Sequence, residues 1–144
     1  MVTALQNSTG LRAYEKIEVA TALCRFPRKG VYICSPLKGG IKYNILRARA
    51  YCRFAFTVGC VPICPHIYFT QFLRDWDVFE RAAGMRYGLE AMHEAQELWV
   101  FGCRISEGMK AEIELAEDLG IPIRYFTADL EERGFDQQRG GKNG

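Results

Sequence analysis

The chain predicts an α/β fold: a single Rossmann-like or flavodoxin-like domain, with a mainly parallel sheet of four or five strands and helices on both faces. Three observations carry this reading. Short apolar runs alternate with segments of helical period from Val31 to Phe126. Glycine or proline punctuates most of the boundaries between them. The 144 residues, 49% hydrophobic and 25% charged, suit one packed domain. Strands alternating with helices imply parallel pairing through right-handed crossovers.

The elements follow in order. Met1–Gly30 reads as an N-terminal extension, with Tyr14–Leu23 a helix or a strand and Arg25–Gly30 a turn. Val31–Ser35 is a buried strand candidate, and Pro36–Gly40 a loop. Apolar residues at 41, 45, 48, 52 and 55 predict a helix from Ile41 to Val58, stopped by Gly59. Cys60–Cys64 is a second strand, in which Pro62 marks an edge or a bulge. Pro65–Asp77 is a long aromatic connection, and Phe79–Glu94 a helix. Glu97–Gly102 is a third strand. Ser106 caps a helix to Leu119, closed by Gly120. Ile121–Phe126 is a fourth strand, and Thr127–Arg133 a last helical turn. The α/β domain is therefore expected over 31–126, and 127–144 as a terminal turn and a mobile tail.

Composition excludes several classes. No apolar run approaches the roughly 20 residues of a membrane span, and no signal peptide opens the chain, so a cytoplasmic location is expected. Six cysteines in mostly apolar settings suit reduced thiols rather than a disulfide framework. Cys60, Cys64, His66 and Cys103 match no strong zinc spacing, so neither metal nor cofactor is expected. Charge is uneven. Val19 to Arg74 holds nine bases and no acid, whereas Asp75 to Gly144 holds fifteen acids and eight bases. The basic part suits a small anion, while the near-neutral whole argues against bulk nucleic acid.

Ligands of parallel sheets bind at the carboxyl ends of strands, which selects Ser35–Gly40, Pro65–Asp77 and Cys103–Gly108. In the helix after Ser106, Lys110, Glu114, Glu117 and Asp118 share one arc. Met109, Ile113, Leu115, Ala116 and Leu119 share the other, and Glu112 falls within the apolar arc. A carboxylate there must be paired, or must face a pocket with a raised pKa. Ser106 and Gly108 open the helix with a hydroxyl and free N–H groups, which suit an anion as well as plain capping. Ser35, Pro36, Lys38, Gly39 and Gly40 form a loop of the same character. His66, Asp75 and Asp77 offer a further acid or base. Tyr68, Phe69, Phe72 and Trp76 either stack a base or simply pack.

The segments VYICSP, PHIYFTQFL, ELWVFG and RISEGMKAEIELA resemble the small bacterial and phage proteins labelled DUF4406 or DUF7768, near the nucleoside 2-deoxyribosyltransferase superfamily. More distantly, Ser35-Pro36-Leu37-Lys38-Gly39-Gly40 and Ser106-x-Gly108-x-x-x-Glu112 resemble the loop and helix motifs of 2-deoxynucleoside 5′-phosphate N-hydrolases and deoxyribosyltransferases. The resemblance implies Glu112 as nucleophile, and Ser35, Pro36, Lys38, Gly39, Gly40, Ser106, Gly108 and Met109 as ligand or phosphate contacts. Lys38 stands where the hydrolase has Arg, which loses the bidentate fork. The partner acid before the third strand has no clear match, and Glu97 is the nominee. The expected function is cleavage or transfer at the N-glycosidic bond of a nucleotide or nucleoside. The leaving base would be protonated by Asp75, Asp77, Glu97 or His66. The alternative is a non-catalytic binder, such as a phage protein sequestering a nucleotide or an NAD-derived signal. Tyr68 is carried as a base-stacking candidate, and a homo-oligomer is expected.

Overall fold

The computed structural model describes residues 10–23 and 29–134. Helix α1 (Ala13–Leu23) precedes strand β1 (Lys29–Cys34). Then follow α2 (Ile41–Thr57), β2 (Cys60–Ile63), α3 (Pro65–Phe69), α4 (Val78–Ala91), a 3₁₀ turn (Met92–Glu94), β3 (Glu97–Phe101), α5 (Glu107–Asp118) and β4 (Ile123–Phe126). The four strands form one parallel sheet in the order β2-β1-β3-β4. Its register sets Val31 beside Pro62 on one side and beside Glu97 on the other, and Leu98 beside Ile123.

Strand alternation divides the core between two faces. Val31, Ile33, Trp99, Phe101 and Phe126 pack with Tyr51 and Ala55 of α2. The Tyr51 ring stacks on Phe101 at 4.2 Å and 10°. Tyr32, Cys34, Leu98 and Val100 pack on the other face with Met109 and Ala116 of α5 and with Met92. Both faces of β1 and β3 are thus covered, which is why each reads as a continuous apolar run. Fully burying one such large side chain contributes about 1.5–3 kcal/mol, so these central strands are the most firmly held part of the sheet.

Several expectations change. Tyr14–Leu23 was open between helix and strand, and Ala13–Leu23 is helical. Gly30 belongs to β1 rather than to a turn. A Cβ there would lie 3.2 Å from the Glu94 carbonyl, so the close approach of backbone favours glycine. The Pro65–Asp77 connection begins as α3. Leu119 ends α5 exposed rather than buried. Thr127–Arg133 is not helical. The Thr127 hydroxyl accepts from the N–H groups of Asp129 and Glu131, and the chain turns back to bridge Glu132 against Phe126. Positions 1–9, 24–28 and 135–144, including much of the predicted extension and tail, lie outside the described residues. No helix among the described residues is long and apolar enough to cross a membrane.

Candidate functional site

From β1 the chain crosses to β2 on one side, and β3 lies on the other. This reversal of strand order opens a crevice at the carboxyl ends of β1 and β3. A cleft of about 300 Å³ occupies it. Tyr32, Ser35 and Glu112 line it together with Leu37 and Lys38, His66 and Asp75, and Ser106, Gly108 and Met109.

Glu112 is brought there by the helical phase of α5. Met109 and Ala116 anchor the buried side of that helix. The Tyr32 hydroxyl donates to Glu112 Oε1 at 2.9 Å. Tyr32 and Cys34 are two residues apart on β1, so both face α5. Burial pushes the Glu112 carboxyl up to about 7, against hydrogen bonds from Cys34 and Tyr32 that favour its charged form. Burial likewise raises the Tyr32 hydroxyl and the Cys34 thiol, which keeps both as donors.

Two loops flank this carboxylate. In the first, Gly39 and Gly40 take φ values of 85° and 132°, a backbone that other residues rarely adopt. The Asn44 amide donates to the Leu37 and Lys38 carbonyls at 2.8 and 3.0 Å, fixing the loop to the start of α2. The Ser35 hydroxyl is buried and has no hydrogen-bond partner among the described residues. In the second loop, Ser106 accepts from the Met109 N–H at 3.3 Å and caps α5. The free N–H groups of that helix start carry partial positive charge toward the cleft.

The far wall is α4. Asp77 caps it, accepting from Phe79 N–H at 2.9 Å and Glu80 N–H at 3.0 Å. Arg81, Gly84, Met85 and Gly88 line the cleft at helical spacing. Gly88 leaves room for the Tyr32 hydroxyl, which a Cβ there would approach to a tight 3.3 Å. His66 lies against Cys64 Sγ at 3.5 Å, and burial pushes its imidazole down to about 4, so it is neutral at physiological pH.

Not every sequence candidate reaches the cleft. Asp77 is occupied as a helix cap. Glu97 opens β3 at the opposite end of the sheet and pairs with Lys29 at 2.9 Å and Arg124 at 3.7 Å. Its phase matches Trp99, so it faces α2 while Glu112 lies on the other face. It is therefore badly placed to partner Glu112. Tyr68 and Trp76 are exposed and do not line the cleft, whereas Phe69 does. Pro36, Gly39 and Gly40 shape the first loop without lining the cleft. Sequence reasoning missed Tyr32, Cys34, Arg81, Gly84, Met85 and Gly88. The available signals were the i, i+2 relation of Tyr32 to Cys34 and the Gly84-x-x-x-Gly88 spacing.

Fold and cleft together define a single-domain parallel α/β protein with a crevice at its switch point. The chain belongs to the DUF7768 family, a domain of unknown function, whose model matches residues 29–126. No curated protein matches it. Among solved structures, a 2-deoxyribosyltransferase from Bacillus psychrosaccharolyticus is similar in fold. Its TM-score is 0.53 at 17% identity, over 68% of this chain and 72% of that one.

Proposed function

We propose that the cleft binds a nucleoside or nucleotide and that the chain cleaves or transfers at its N-glycosidic bond. The observation that carries this reading is a partly buried Glu112, held by the Tyr32 hydroxyl and flanked by two anion-compatible loops. The unpartnered Ser35 hydroxyl and the start of α5 suit a phosphate or a sugar hydroxyl, with Lys38 at the rim. Glu112 attacks the anomeric carbon as the carbon–nitrogen bond breaks, and the bonding pair leaves with the base. Asp75 is the candidate acid, because it lines the cleft and His66 is held neutral. Water or a second base then attacks the anomeric carbon and frees Glu112. The fold likeness to a 2-deoxyribosyltransferase supports a nucleoside over other small molecules. Assembly as a homo-oligomer belongs to the same reading and is tested by sedimentation equilibrium.

Incubation with deoxynucleosides and their 5′-monophosphates, with chromatography for free base, tests the reaction. Base release by the parent, lost in Glu112→Gln, supports it. Saturable binding without release would favour the sequestering role. Neither binding nor release would reject the site.

A further inference from the structure

The far wall of the cleft holds a cation that the proposed reaction does not use. Arg81 of α4 is half-buried and lines the cleft, and its guanidinium has no hydrogen bond or ion pair among the described residues. The neighbouring acids do not neutralise it. Glu80 is taken by Arg74, 3.8 Å away, Asp77 caps α4, and the exposed Asp75 pairs with no cation among the described residues. A half-buried guanidinium carries only donors, so it favours a ligand atom that accepts. Helix α4 also acts as a ruler. Gly88 adjoins the Tyr32 hydroxyl that donates to Glu112, so it marks the reacting end. Arg81 stands two turns away along the helix, about 10 Å at helical rise. Between them Gly84 presents no side chain, and Phe69 and Met85 add apolar surface to the same cleft. The buried, unpartnered Ser35 hydroxyl, just past the carboxyl end of β1, suits the sugar or phosphate end instead.

We propose that Arg81 determines which base the cleft accepts: its guanidinium donates to a carbonyl oxygen on the outer edge of the base, so a keto base is preferred to its amino counterpart. The inference rests on the nucleoside reading of the cleft. With the anomeric carbon beside Glu112, the base lies along α4, its flat face over Gly84 and its outer edge at Arg81. Guanine presents a carbonyl at C6 and adenine an amino group. The guanidinium meets the carbonyl with a charge-assisted hydrogen bond. Against the amino group, donor faces donor, and both lose a partner that water would have supplied. Lys38, the other unpaired cation lining the cleft among the described residues, lies in the same loop as Ser35 and so belongs to the sugar or phosphate end. The two cations thus read opposite ends of one ligand.

The test compares deoxyinosine 5′-monophosphate with deoxyadenosine 5′-monophosphate, which differ at C6 and in the N1 proton that goes with it. Calorimetric titrations use the full chain, or Glu112→Gln where the parent releases base. The keto nucleotide should bind about tenfold or more tightly than the amino one. Arg81→Gln is then made in the same background. Glutamine matches arginine in helix propensity, so the fold should hold. Its amide can turn either to donate or to accept, so the ratio should fall to about one. The same ratios should hold for deoxyinosine and deoxyadenosine, which lack the phosphate. Equal binding of both nucleotides by the parent, or a preference that survives in Arg81→Gln, would overturn the role of Arg81 and leave the nucleotide reading standing. A loss confined to the phosphorylated pair would make Arg81 a phosphate contact and would overturn it as well. Binding of neither pair would reject this inference together with the nucleoside reading.

Discussion

Glu112 and His66 line one cleft and titrate in opposite senses. Between pH 4.5 and about 7 the native Glu112 carboxyl keeps a proton that the unfolded chain has released, so its contribution to stability falls as pH rises. Between about 4 and 6.5 the unfolded imidazole holds a proton that native His66 refuses, so that contribution rises with pH. The two slopes oppose each other over most of the acid range. Of these two slopes, Glu112→Gln should leave the His66 one, and the variant should exceed the parent at pH 8 by about 3 kcal/mol, at 1.4 kcal/mol per pH unit. His66→Gln should leave only the falling slope. Urea unfolding at a series of pH values reads both, and parallel curves for parent and variants would contradict the burial of these groups. If the cleft is catalytic, turnover of the parent should rise through pH 7 as Glu112 ionises. Glu112→Gln should then lower turnover by several orders of magnitude while retaining most of the binding.

At the scale of elements, α4 offers the sharpest contrast. Gly84 and Gly88 are one turn apart on the same wall. A methyl at 84 meets the flexible end of Leu73 at 3.2 Å, whereas one at 88 meets the Tyr32 hydroxyl at 3.3 Å. Gly84→Ala should therefore raise stability by up to about 1 kcal/mol through helix propensity. Gly88→Ala has the same intrinsic gain but should displace the hydroxyl from Glu112. A smaller stability gain and an upward shift of the Glu112 titration, followed by carboxyl NMR, are expected. In α5, Ser106→Ala should cost about 1 kcal/mol by leaving the Met109 N–H uncapped. The helical phase of α5 was legible in its sequence, because Met109 and Ala116 mark the buried arc on which Glu112 intrudes. The role of Tyr32 was not, because a buried strand run says nothing of which ring ends against a carboxylate.

Across the whole molecule, the alternation of strands and helices and the carboxyl-end location of the loops were readable from Val31 onward. Periodicity is local, and each crossover follows a general handedness. Which face a strand residue takes relative to a distant helix is not local, and Glu97 shows the difference. It opens an apolar strand, close to where the partner acid would stand, yet its alternation turns it toward α2 and the Lys29 and Arg124 cations. Asp77 was similarly ambiguous, since a carboxylate before a helix serves equally as cap or as acid. The two outer strands bear on how many strands the sheet holds. On β4, the chain folds back so that Arg133 N–H donates to the Tyr125 carbonyl and Glu132 bridges Phe126. On β2, Pro62 removes one amide donor from the rim. Neither border therefore offers an uninterrupted row of amides to a passing extended chain, which guards a crowded solution of this protein against fibril seeding. Pro62→Thr would restore the missing donor, and it should shorten the lag of thioflavin-positive aggregation under mild heating.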